Sequence, residues 1–131
     1  MADRRTVARA AVADVAAVLV FVALGRRTHD EGGNAILGAL EVAAPFLIAA
    51  AAGWAVARAW RTPLDPVTGT IIWVTTVVVG MVLRRFAFDR GTATPFVIVA
   101  SVATLVLLVG WRVVAQWIVG RRTERRTAAE K

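Results

Sequence analysis

Residues 7–25, 35–57, 67–83 and 96–119 are four almost wholly apolar stretches, separated by short polar segments. Each approaches the ~20 residues that an α-helix needs to cross a ~30 Å hydrocarbon core. The pattern predicts four membrane-spanning helices, at about residues 7–25, 35–60, 66–86 and 95–119. Connections this short force neighbouring helices to run antiparallel, so the expected fold is an all-α, four-helix bundle. Residues 1–120 then make one membrane domain and residues 121–131 a basic tail. Asp65-Pro66 and Thr94-Pro95 mark the starts of the third and fourth helices. Each sets a capping side chain before a proline whose missing N–H costs nothing at the first helical position.

Composition agrees with the pattern. A chain of 131 residues that is 58% hydrophobic is too apolar to cover itself with the polar surface a soluble domain needs. It has no cysteine, which excludes disulfides, thiolate catalysis and thiolate metal sites. A net charge of +7 would suggest nucleic acid in a soluble protein. Here the arginines gather at the ends of apolar segments, so they read as topology signals and no nucleic-acid partner is expected. Arg4, Arg5 and Arg9 imitate the basic start of a signal peptide, but Asp14 interrupts the apolar run and no small-residue cleavage site follows. The first span is therefore expected to stay in the membrane.

With both termini on one side, that side holds 11 of the 16 basic residues and the other holds Arg26, Arg27, Arg84, Arg85 and Arg90. The positive-inside rule then places both termini in the cytoplasm of a multi-pass cell-membrane protein. All five tryptophans fall in the cytoplasmic half, as an interfacial belt would, and phenylalanine is expected at the outer rim. The basic tail is expected to lie against anionic lipid.

The two halves of the chain echo each other. Gly53, Trp54, Val56 and Trp60 recur as Gly110, Trp111, Val113 and Trp117, both sets reading G-W-x-V-x-x-x-W. Arg26-Arg27 recurs as Arg84-Arg85, and Gly33 as Gly91. A duplicated helical hairpin is one reading, with the halves related by a pseudo-twofold axis along the membrane normal. Accumulation of Gly, Trp and Arg at helix ends is the other.

Candidate chemistry is confined to a few polar groups. A carboxylate at mid-span costs about 2.5–3.5 kcal/mol on insertion scales, so Asp14 and Glu41 each need a partner, protein cover or water. A rise of ~1.5 Å per residue puts Asp14 about 17 Å, and Arg112 about 24 Å, below the outer helix ends. An arginine side chain spans that difference, so the two are expected to pair. Glu41 lies about 9 Å deep, where Arg26, Arg27, Arg84 or Arg85 are its expected partners. Pro45 cannot donate to the Glu41 carbonyl, so a carboxylate, a free acceptor and a bend are expected on one turn. Arg26, Arg27, His29, Asp30, Glu31, Arg84 and Arg85 form a candidate outer charged cluster. His29 is read as a loop histidine, and no metal or cofactor is expected. Small residues at four-residue spacing, Ala49, Gly53 and Ala57, then Thr76 and Gly80, then Ala100 and Thr104, suggest close helix approach.

The segments "VFVALGRRTHDEG", "RAWRTP", "TGTIIWVTTVVVGMVLRR" and "PFVIVASVATLVLLVGWR" together resemble a family of small four-helix membrane proteins of high-GC bacteria and haloarchaea, classed as a domain of unknown function (three-zero-five-four). That resemblance covers roughly residues 12–114, and it implies architecture without chemistry. No nucleophile–base pair, phosphate loop or histidine cluster is visible, so an enzyme is not expected. Two functions stay open. The preferred one is a small homo-oligomeric channel or transporter for ions, protons or a solute, using Glu41, Asp14 and the outer arginine group. The other is a non-transporting assembly or accessory subunit that engages a partner through its small-residue stripes and basic tail.

Overall fold

Each apolar stretch folds as a helix. The structure is a computed structural model describing residues 2–28, 35–87 and 94–131; the side chains of residues 26–28 and 35 lie outside that description. The helices are α1 (Arg4–Thr28), α2 (Ala35–Ala57), α3 (Pro66–Phe86) and α4 (Thr94–Glu130). They form a ring in which α1 adjoins α2 and α4, and α3 adjoins α2 and α4; among the described residues the backbones do not come close across either diagonal, and side chains such as Phe46 and Phe96 bridge it. All four are long and apolar enough to cross a membrane, and at most 33% of any span's apolar window is buried within the chain. Large side chains such as Val12, Leu37, Ile48 and Val78 face outward and are more than half exposed. Such a surface suits lipid, and the chain is a multi-pass membrane protein with an all-α four-helix bundle.

Local chemistry sets the helix ends. Asp3 caps α1, its carboxylate accepting from the backbone N–H of Arg5 at 2.7 Å and of Thr6 at 3.1 Å, and from the Thr6 hydroxyl. The Thr6 amide first, then the Arg5 amide, holds the Asp3 carboxyl below its ordinary pKa of 3.8. Asp65 caps α3 through Val67 N–H at 2.9 Å, with Pro66 at the first helical position. α2 stops at Ala57 instead of continuing to about 60. Arg58 takes a left-handed conformation (φ 49°), Ala59 N–H donates to the Trp54 carbonyl at 3.0 Å, and Arg58 N–H to that of Ala55. This is a Schellman closure, with the apolar Ala59 fully buried beneath the turn.

α4 departs furthest from expectation. It runs unbroken to Glu130, past the end of its apolar stretch near residue 119. Hydropathy stops there but helix propensity does not, because Arg, Glu and Ala fill the last turns. Thr123 and Thr127 also direct their hydroxyls back to the carbonyls of Val119 and Thr123. At ~1.5 Å per residue α4 is about 55 Å long, well beyond a ~30 Å core.

Of the phenylalanines expected at the outer rim, Phe86 stands exposed at the end of α3 and Phe88 lies outside the described residues, but three others point inward. Phe21, Phe46 and Phe96 pack together inside the half of the bundle away from the termini. Phe21 and Phe46 meet edge to face at 5.5 Å, and Phe96 lies 6.4 and 6.2 Å from them. Phe46 fits because α3 presents Gly80: a Cβ there would stand 2.7 Å from its Cδ1. Gly53 likewise rests on the Ile72 backbone at 3.0 Å. Ala49, Gly53, Thr76, Gly80, Ala100 and Thr104 are all buried, so these small residues serve contacts between the chain's own helices.

A methyl at Gly80 displaces a buried ring, so Gly80→Ala should lower stability by about 1–3 kcal/mol. Gly110 has nothing within 4 Å of its Cβ position, and there the same change should add up to about 1 kcal/mol through helix propensity. Thermal unfolding of both variants in detergent checks the pair. For Asp3 the lowered pKa means that capping is fully present above the ordinary carboxylate value and is lost as pH falls through the lowered one. Hydrogen-exchange protection of the Arg5 and Thr6 amides should therefore drop on acidification below pH ~4 in the wild type and change little in Asp3→Asn.

Candidate functional site

Among the described residues two charged side chains are fully buried, and they lie together near the end of the bundle that carries the termini. Asp14 on α1 and Arg112 on α4 are 1% and 0% exposed. Their helices run antiparallel, so residues 98 apart in sequence meet at one depth. Arg112 Nη1 donates to Asp14 Oδ1 at 2.7 Å and Nη2 to Oδ2 at 2.6 Å, a two-pronged pair. Two indoles complete the carboxylate: Trp54 Nε1 donates to Oδ2 at 2.7 Å and Trp111 Nε1 to Oδ1 at 2.9 Å. Each carboxylate oxygen thus accepts two hydrogen bonds.

The guanidinium is used as fully. Nε donates to the Pro63 carbonyl at 2.8 Å and Nη1 also donates to that of Leu108 at 2.8 Å. Four of its five N–H groups are engaged, and its carbon lies 4.4 Å from the Trp111 ring centroid. Gly69 on α3 makes room, since a Cβ there would sit 2.7 Å from Arg112 Cδ. Gln116 Nε2 takes the Leu64 carbonyl at 3.2 Å, so α4 holds the α2–α3 connection by two backbone oxygens. All four helices and this connection converge on one ion pair.

The arrangement differs from the sequence reading in its tryptophans. Trp54 and Trp111 are interior donors, and Trp73 donates to the Ser101 carbonyl at 2.8 Å. Trp60 and Trp117 are exposed, as belt residues would be. The equivalent glycines of the G-W motifs differ: Gly53 is pressed against Ile72, whereas Gly110 has open space. A cleft of about 260 Å³ between α1 and α2 ends on Asp14 and Trp54 and is otherwise walled by Ala11, Val15, Leu47, Ala50 and Ala51.

Glu41 does not join Asp14. It is exposed on α2, on a stripe with Leu37 and Ile48, and it has an interaction partner of its own. Pro45, one turn on, is buried within α2 and leaves the Glu41 carbonyl without its helical N–H donor. Arg84 stacks its guanidinium over Phe96 at 4.1 Å, and Arg85 is exposed. Arg26 and Arg27 sit in the last turns of α1 with side chains outside the described atoms; His29, Asp30 and Glu31 lie outside the described residues. The outer charged cluster is therefore represented here by Arg84 and Arg85 alone.

Removing the Asp14 charge strands a buried guanidinium and puts an amide N–H₂ against its donors. Asp14→Asn should cost about 3–5 kcal/mol of stability, and Asp14→Leu with Arg112→Met much less than the sum of the two single changes. A double-mutant cycle on unfolding in detergent measures both.

No curated protein and no solved structure matches the chain. Residues 11–115 match the family described as "Protein of unknown function (DUF3054)". The match begins just before Asp14 and ends just after Arg112, enclosing both halves of the ion pair and all the groups that bind it, and the chain belongs to the DUF3054 family.

Proposed function

We propose that this protein acts in the cell membrane as an assembly or accessory subunit, oriented with both termini in the cytoplasm, and that its own bundle carries no solute. The saturation of Asp14 carries the reading. A transport site must release one set of hydrogen bonds to take up a solute, and here both carboxylate oxygens and four guanidinium N–H groups are already committed inside the protein. Such a pair stabilises little compared with apolar packing, but it fixes which helix faces meet. The partner surface is the apolar exterior, because the small-residue stripes are consumed within the bundle. The convergence of Trp54 and Trp111 on one carboxylate supports reading the two hairpins as a duplication.

Transport by a homo-oligomer is the second reading, favoured by Glu41. Its exposed place on α2, one turn before Pro45, would set carboxylates along a seam between copies. Proton and anion flux in proteoliposomes separates the two. Wild type should match empty liposomes, and Glu41→Gln should keep the wild-type unfolding temperature. Wild-type flux that Glu41→Gln abolishes without loss of stability would overturn the assembly reading in favour of the seam.

A further inference from the structure

Across the end of the apolar stretch of α4, one face of the helix carries Trp117, Ile118, Arg121, Arg122 and Arg125 around a groove of about 250 Å³. The spacing places these residues on adjoining turns of one stripe. At ~100° per residue, Arg121 lies about 180° around α4 from Arg112. Since Arg112 points into the bundle, this stripe points away from it. Exposure agrees, with Trp117 57% and Ile118 41% open.

Depth follows from the same geometry. Trp117 and Ile118 end the apolar span, and Arg121 and Arg125 stand ~4.5 and ~10.5 Å beyond Ile118 along the helix. The polar layer on one side of a bilayer is about 5–8 Å thick. Arg121 and Arg122 thus stand at headgroup level, Arg125 one turn on leans its long side chain back toward that level, and the two apolar side chains remain level with acyl chains. The Arg121 guanidinium carbon lies over the Trp117 ring, 4.0 Å from its centroid, which holds it at that boundary. Glu124 lies about 60° around the helix from Arg121 toward one flank, and Arg126 lies about 40° beyond Arg122 on the other.

We infer that this groove binds the headgroup of an anionic glycerophospholipid, with Trp117 and Ile118 against its upper acyl chains and Arg121, Arg122 and Arg125 around its phosphate. The occupant is a lipid because half of the groove is apolar and the whole of it faces outward at the membrane boundary. Its charge is negative because three arginines line it and no acidic residue does. The inference is independent of the proposed function, since it involves neither the ion pair nor Glu41.

The purified full chain in detergent tests it, by native mass spectrometry with dioleoylphosphatidylglycerol or dioleoylphosphatidylcholine added. Near a charged surface each basic residue contributes about fivefold in affinity. The wild type should therefore prefer phosphatidylglycerol by at least about tenfold, and R121Q/R122Q/R125Q should lose that preference. R4Q/R5Q/R9Q removes as much charge elsewhere and should keep it. Water-soluble glycerol phosphate in millimolar excess should not compete, because it lacks the acyl chains. Unfolding temperatures report folding, and if the triple variant is destabilised the single changes serve instead, each expected to weaken phosphatidylglycerol binding about fivefold. A preference that survives the loss of these arginines, falls equally in the N-terminal variant, or yields to glycerol phosphate overturns the inference.

Discussion

The bundle depends on placing a charge where water is absent. A carboxylate in hydrocarbon has no solvent to fall back on, so its full demand for hydrogen bonds must be met by protein. Asp14 meets it with one guanidinium and two indoles. Each donor comes with a geometric requirement of its own. Arg112 needs the space above Gly69 and the Pro63 carbonyl, and Trp54 needs α2 to close beside α1 before the chain turns at Arg58. In lipid, where apolar helices have no hydrophobic reason to associate, such directional contacts and close packing decide which faces meet.

The other half of the bundle is held mainly by ring packing, with the Arg84 guanidinium lying over Phe96 at its border. Phe21, Phe46 and Phe96 interlock, and Gly80 lets α3 approach α2 against the ring of Phe46. Dispersion rather than hydrogen bonding holds this tier, and it is sensitive to a single methyl. The bundle therefore has two kinds of specificity along its axis: a polar lock near the termini, in which atoms must be satisfied, and an aromatic tier beyond it, in which volumes must match.

Much of this was legible in the sequence, for reasons that also explain the remainder. Length and hydropathy disclosed the four spans, and the Asp65-Pro66 cap the start of α3. Rise per residue was enough to pair Asp14 with Arg112 across 98 positions, because antiparallel helices convert sequence number into depth. Trp54 and Trp111 were visible as a repeated motif but read as interface anchors: an indole at a helix end suits both roles, and only the neighbouring helix decides. The Pro63 carbonyl carries no side-chain signal at all. The small-residue stripes correctly indicated close approach without saying to which helix. α4 was read too short because apolar periodicity ends before helix propensity does. Arg58 gave no warning, being a residue type that rarely takes the left-handed turn it adopts.

The order in which the ribosome delivers the two halves of the lock has a physical consequence. Asp14 enters the membrane with the first span, and Arg112 is made 98 residues later, a delay of roughly 5–20 s at ordinary elongation rates. During that interval the indole of Trp54, only 40 residues downstream, is the first of its final donors to be synthesised. The carboxylate must meanwhile be shielded by a proton, by water or by the insertion machinery, and the last span completes the fold by displacing whichever of these is in place. Assembly of this four-helix bundle thus includes an electrostatic exchange inside the bilayer.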